Sequence, residues 1–189
     1  MRITMLVRMQ QVLPLLILLI ACDGCTSTVG KNIRGIDNFA VVDPGPFPVY
    51  RGAQPSPDGY HTLASKGVKT VIDLRDDALP SEQNALAHLS IRYVQIPTSA
   101  GEVDPRKVQT FLEKIRTEQR PIFVHCKLGC DRTGLEIAAY RMVEQGWTRS
   151  DALKELYDHG YHWMFFPGIE RYLKTFDPNA FRAVTASGN

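Results

Sequence analysis

The segment PIFVHCKLGCDRTG, Pro121 to Gly134, constrains the fold more than any other stretch. Its first half is short and almost wholly apolar, as expected of a strand buried on both faces in the middle of a sheet. Its second half holds a glycine-bearing loop and runs into RTGLEIAAYRMVEQG, an Ala- and Leu-rich stretch that predicts a helix ending at Gly146. A buried strand feeding a helix through a tight loop needs parallel neighbours and crossover helices to cover both sheet faces.

The flanking sequence supplies them. FAVV and VYRG read as short strands around the Pro-rich DPGPFP, where prolines suit edges and turns. SPDGYHTLASKG predicts a helix opened by Ser56 and Pro57 and closed by Gly67. VKTVIDLR reads as a buried strand, PSEQNALAHLS as a short helix and IRYVQIP as a third strand. DPRKVQTFLEKIRTEQ is the clearest helix. Asp104 is its N-cap, Pro105 its first residue, and Val108, Phe111, Leu112 and Ile115 repeat on one face. RSDALKELYDHG and GIERYLKTF add two more helices. The order specifies a single α/β domain with a central, mostly parallel sheet flanked by helices. The 189 residues suffice for one such core.

In open α/β sheets, ligands bind where the carboxyl end of a strand meets a helix. The first N–H groups of that helix lack intrahelical partners and, with the helix dipole, attract anions, phosphate in particular. Gly129 lets the loop curl so that its N–H groups point inward. A thiol at Cys126, in that positive field, is expected to ionise more readily. Arg132 offers a planar, permanently charged fork for two phosphate oxygens. A thiolate beneath a cradled phosphate, in line with its ester bond, is set for nucleophilic displacement.

His125, Cys126, Arg132 and Thr133 resemble the H-C-x5-R-T signature of the cysteine-based protein tyrosine and dual-specificity phosphatases. The similarity to bacterial dual-specificity phosphatase-like proteins extends from about Tyr50 to Leu173, through YRGAQPS, VIDLR and ALKELYDHGYHW. It implies the cysteine-phosphatase fold, with the phosphate loop between a central strand and a helix. It also implies that Cys126 attacks phosphorus to form a cysteinyl-phosphate and that Arg132 stabilises the transition state. Lys127, Leu128, Gly129, Cys130, Asp131 and Arg132 would bind the phosphate. Thr133 would hydrogen-bond Cys126, and His125 would support the loop from below. The mechanism implied needs no metal and no other cofactor. Its substrate is a phosphorylated protein or a small phosphorylated molecule, with a non-catalytic phosphate-binding module as the reading from another class.

The resemblance further implies a general acid on a loop upstream of the signature. PTSAGEVDP supplies Glu102 and Asp104 there, and Asp104 is the expected donor; a helix N-cap is its other role. Asp131 is the alternative acid, since DRT resembles the ending found in phosphoinositide phosphatases. Cys130 is expected either to trap oxidised Cys126 as a disulfide or to pack as a small apolar residue. His125, Cys126, Cys130, His159 and His162 lack the Cys-x2-Cys spacing of a structural zinc site. His159 and His162 are expected at the mouth of the site or on the surface. The aromatic run Tyr161, Trp163, Phe165 and Phe166 is expected in the core or as a wall for a phosphotyrosine ring.

The N-terminus carries a different message. Arg2 and Arg8 precede the apolar run Val12 to Ala21, too short for a comfortable membrane span and suited to a signal peptide. LIAC, Leu19 to Cys22, resembles the bacterial lipobox, which implies acylation of Cys22 as the mature N-terminus and a lipid anchor in the membrane. Asp23 resembles the signal that retains such lipoproteins on the inner membrane, facing the periplasm. The expected organisation is a signal peptide at 1–21, a polar tether at 22–38, a catalytic domain at 39–180 and a tail at 181–189. Without Arg2 and Arg8 the 22 basic residues fall to 20, equal to the 20 acidic ones. A neutral domain without a basic stripe argues against nucleic acid as a partner.

Overall fold

The computed structural model describes residues 30–77 and 79–186. The expected signal peptide, Cys22 and the last residues of the tail, 187–189, lie outside them. Six strands and seven helices are present among the described residues: β1 (Lys31–Ile33), β2 (Ile36–Asp43), β3 (Val49–Ala53), α1 (Pro57–Ser65), β4 (Thr70–Arg75), α2 (Pro80–His88), β5 (Arg92–Thr98), α3 (Pro105–Thr117), β6 (Ile122–Cys126), α4 (Asp131–Glu144), α5 (Arg149–Asp158), α6 (Pro167–Thr175) and α7 (Pro178–Ala186).

They form a single α/β domain around one mixed sheet of strand order β1-β2-β3-β6-β4-β5. The pairs β3–β6, β6–β4 and β4–β5 are parallel, whereas β1–β2 and β2–β3 are antiparallel. The four parallel strands therefore end on one edge of the sheet. Every residue of β4 and β6 is buried, and the two-residue period of a strand divides them between two cores. Val71 and Phe123 join Tyr60, Leu63 and Leu86 beneath α1 and α2. Ile72, Leu74, Ile122 and Val124 join Phe111, Leu135, Ile137 and Leu173 beneath the other helices.

The expected caps are in place. The Ser56 hydroxyl accepts from the Gly59 N–H and the Asp104 carboxylate from the Arg106 N–H. The face predicted for α3 is the buried one. Helix α4 is buried over nearly its whole length, the pattern of a helix enclosed by protein on all sides. Arg141 donates from Nε to Glu155 at 2.9 Å, tying α4 to α5. Glu136, also on α4, has no hydrogen-bond partner for Oε2 among the described residues. Burial, only partly offset by Lys107, pushes its carboxyl up to about 8.

Two expected boundaries are corrected. The tether assigned to 22–38 already contains β1 and the start of β2, so the domain begins before residue 39. The polar KNI of β1 carries no alternation because it is a mostly exposed edge strand. The tail assigned to 181–189 is helical through Ala186, as part of α7.

Candidate active site

The loop between β6 and α4 sits at the edge where the parallel strands end. Cys126 closes β6 and is 3% exposed. Helix α4 starts at Asp131, capped by Cys130 without a side-chain hydrogen bond, so the first N–H groups of the helix stay available. The loop is held by its carbonyls. Lys127 O accepts from the Gln54 N–H at 3.2 Å. Leu128 O accepts from Asn38 Nδ2 at 3.2 Å, and Gly129 O from Arg51 Nη2 at 2.8 Å. Across a trans peptide the next N–H points opposite to the carbonyl. The N–H groups of Leu128, Gly129 and Cys130 are thus turned away from these anchors, which is how a backbone makes an anion cradle.

Gly129 is required by this geometry. Its φ is +72°, and a Cβ there would lie 2.5 Å from the carbonyl carbon of Gly52 in β3. Arg51 is fully buried beneath it; burial pushes its guanidinium down to about 10, against the opposing pull of Glu155 and Cys126. It remains a cation at neutral pH.

Asn38 was not anticipated. It adopts φ +52° and links three elements. Besides Leu128 O, its Nδ2 reaches the His159 carbonyl at 3.0 Å and Cys130 Sγ at 3.5 Å, while Oδ1 bonds His159 Nδ1 at 2.8 Å. His159 is therefore a buried structural residue. Cys130 and Cys126 are free thiols. Burial first, then the nearness of Asp131 and Cys126, pushes the Cys130 thiol up to about 11. Its sulfur lies against Asn38 and the Leu128 carbonyl. This geometry favours the packing role.

His125 is fully buried, with Nδ1 at 3.2 Å from the Cys126 carbonyl. Its Nε2 lies 3.1 Å from Glu82 Oε1, outside hydrogen-bond geometry. Asp73, Glu82 and His125 bring one donor atom each within 4.8 Å, the one group among the described residues close enough to grip a single ion. The Asp73 oxygens are already used, accepting from the Arg75 N–H at 2.9 Å and the Tyr93 hydroxyl at 2.7 Å. The group reads as a polar support beneath the loop. Thr133 departs from expectation. Its Oγ1 is buried with no hydrogen-bond partner among the described residues, so the bond to Cys126 is not made.

Above the loop opens a cavity of about 290 Å³ lined by Ala100, Cys126, Lys127, Leu128, Asp131, Arg132, His162, Phe165 and Phe166. Arg132 is 9% exposed and is held by the Thr98 carbonyl at 3.0 Å and Asp76 Oδ1 at 3.2 Å, both accepting from Nη1. Hydrogen bonds, first from the Ser99 hydroxyl, keep the Asp76 carboxyl below its ordinary range. Asp131 Oδ1 accepts from the His162 N–H at 2.8 Å, and Oδ2 bonds His162 Nδ1 at 2.9 Å.

Asp104 is not in the cavity lining. It caps α3 and pairs with Arg106 at 2.9 Å, and hydrogen bonds from Arg106 hold its carboxyl below the usual range. Glu102 is likewise engaged, accepting from Lys107 Nζ and the Ser99 N–H. The structure thus gathers Cys126, Lys127, Leu128, Asp131 and Arg132 at one cavity, sets His125 and Thr133 behind it, and leaves Asp104 to its cap.

A family model described as DSP-PTPase phosphatase fused to NAD+ kinase matches residues 35–162. The chain belongs to this DSP-PTPase family. It is similar to the dual specificity protein phosphatase TpbA of Pseudomonas aeruginosa, 36% identical over 116 residues that make up 60% of this chain and 51% of that protein. The chain thus spans about half the length of the first curated relatives it matches. It is also similar to inositol diphosphatase DSP3 of Arabidopsis thaliana, 29% identical over 134 residues, covering 67% of this chain and 64% of that protein. A crystal structure of P. aeruginosa TpbA in complex with pTyr matches with a TM-score of 0.65 and 30% identity, over 74% of this chain and 86% of the other. The core catalytic domain of the PP-IP phosphatase SIW14 from S. cerevisiae matches with a TM-score of 0.71 over 84% and 96% of the two chains. At 21% identity it shares the DSP-PTPase fold alone.

Proposed function

We propose that this DSP-PTPase member hydrolyses phosphomonoesters, phosphotyrosine and other phosphorylated side chains, through a cysteinyl-phosphate on Cys126. The observation that carries the reading is the loop itself. A cysteine and an arginine share one cavity above N–H groups turned away from three anchored carbonyls. The phosphate sits on those N–H groups and in the Arg132 fork, and Cys126 Sγ attacks phosphorus as the ester bond breaks. Arg132 and the loop neutralise the charge gathering on the equatorial oxygens. Water then displaces the sulfur and releases phosphate.

The mouth supports an aryl or protein substrate. Leu128, Phe165 and Phe166 provide an apolar wall, and Lys127 and Arg132 are the lysine and arginine of the cavity lining. One lysine and one arginine match the charge of a single phosphate group. A small phosphorylated metabolite is the second reading, favoured by the similarity to an inositol diphosphatase. We also propose that residues 1–21 are a signal peptide and that Cys22 carries a lipid anchor on the periplasmic side of the inner membrane. The support is the sequence of Arg2, Arg8, the apolar run and LIAC. Among the described residues no helix is long and apolar enough to cross a membrane.

The test is a panel of phosphotyrosine and phosphoserine peptides and inositol phosphates, with the full chain and two variants. Cys126→Ser should lose turnover by on the order of 10⁴-fold or more while still binding phosphate. Arg132→Lys should lose roughly 10²–10³-fold, since an ammonium cannot replace the two-oxygen fork. Substantial turnover by Cys126→Ser would refute the covalent route. Turnover of inositol phosphates alone would establish the second reading.

A further inference from the structure

We infer that His162 gives the leaving oxygen its proton and that Asp131 is the residue that positions it; this rests on the phosphatase reading above. The loop between α5 and α6 brings His162 into the same cavity as Cys126 and Arg132. Both oxygens of Asp131 are spent as acceptors on His162, one on its backbone N–H at 2.8 Å and one on Nδ1 at 2.9 Å. A carboxylate only accepts, so Nδ1 keeps its proton in both charge states of the ring, and Nε2 is the nitrogen that gains and loses one toward the substrate. Asp131 is nearly buried, whereas the His162 side chain keeps 40% of its surface open. Glu102 is engaged with Lys107 and Asp104 with Arg106, away from the cavity. Asp76 accepts from the Ser99 hydroxyl and from Arg132 itself, and so serves to hold the phosphate-gripping arginine.

The proton balance is simple. The acid is the imidazolium, with Nδ1–H held by Asp131 and a second proton on Nε2. As the Cys126 sulfur–phosphorus bond forms and the phosphorus–oxygen ester bond breaks, the leaving oxygen takes the Nε2 proton and leaves neutral imidazole. When water attacks phosphorus and the sulfur leaves, the water proton returns to Nε2. No proton is left over and no further reactant is needed. A general acid of this kind matters most for a basic leaving group and little for an acidic one, which departs unprotonated.

The experiment therefore compares release of the first equivalent of leaving group from phosphoserine peptide and from 2,4-dinitrophenyl phosphate, in the full chain. His162→Ala should slow the alkyl ester by roughly 10²–10⁴-fold and the dinitrophenyl ester by less than about tenfold. Added imidazole should restore the alkyl rate in His162→Ala, and inhibition by inorganic phosphate should persist as a report of an intact loop. Asp131→Asn should show a smaller selective loss that imidazole does not rescue. Equal loss on both esters by His162→Ala would overturn the assignment. So would a leaving-group dependence acquired by Asp131→Asn, Asp104→Asn or Asp76→Asn and not by His162→Ala. If wild type cleaves no phosphomonoester, the phosphatase reading itself falls, an outcome distinct from these.

Discussion

The two sides of the phosphate loop are built on opposite principles. Underneath, Arg51 and His125 are at most 1% exposed, and a hydrogen bond fixes each of three consecutive carbonyls. At the mouth, Leu128 is 53% and Phe165 73% exposed, beside the exposed Trp163 and Met164. Buried polar contacts are costly to break and hold one arrangement, whereas exposed apolar side chains adapt and cost little to change. The underside therefore sets whether a phosphate is held, and the mouth sets which molecule bears it.

The hardest blow to the underside is Gly129→Ala. A Cβ at φ +72° meets the backbone of Gly52 and Ala53, at a cost of roughly 3 kcal/mol or more from strain and overlap together. Phosphate binding should vanish, and denaturant unfolding should show the loss of stability. Asn38→Ala comes next. It unties the loop from β2 and from His159, and should cost about 1–2 kcal/mol with a loss of turnover similar for every substrate. A substrate-selective effect at Asn38 would break the division between the two sides. At the mouth, Phe165→Ser should raise KM for phosphotyrosine peptides several-fold and leave small alkyl phosphates untouched. That would sharpen the division.

Glu136 is expected to have the least effect on turnover. Its carboxyl, pushed up to about 8 by burial, binds its proton more tightly in the folded chain than in the unfolded one. The sign follows: between about pH 4.5 and 8 the folded state holds one proton more, so stability falls as pH rises, by about 1.4 kcal/mol per pH unit. Glu136→Gln should flatten that slope in denaturant melts across the range and leave catalysis nearly unchanged.

What the sequence reveals follows the same division by range of contact. Helix α3 is legible from Val108, Phe111, Leu112 and Ile115, because a helical face is a local period. The nucleophile, the arginine and the loop glycine are legible because one short segment carries all three. Asn38 is not, since its partners Leu128 and His159 lie 90 and 121 residues away and its own surroundings are polar and Gly-rich. His162 is where the sequence expects it, at the mouth of the site, but its pairing with Asp131, 31 residues earlier, is made only by the fold. Asp104 misleads in the opposite direction. Asp before Pro serves a cap as well as it serves an acid, and the sequence holds both readings until Arg106 is seen beside it.

The bond from Asn38 to Leu128 also means that the catalytic segment is not portable. A fragment beginning at Phe39 would retain every residue of the C-x5-R stretch and all four parallel strands, yet it would lack the amide that ties Leu128, Cys130 and His159 together. The residue before Phe39 is therefore more than the end of a spacer. A cut or fusion that removes or displaces Asn38 is an alteration of the phosphate loop, made 90 residues before it in the sequence.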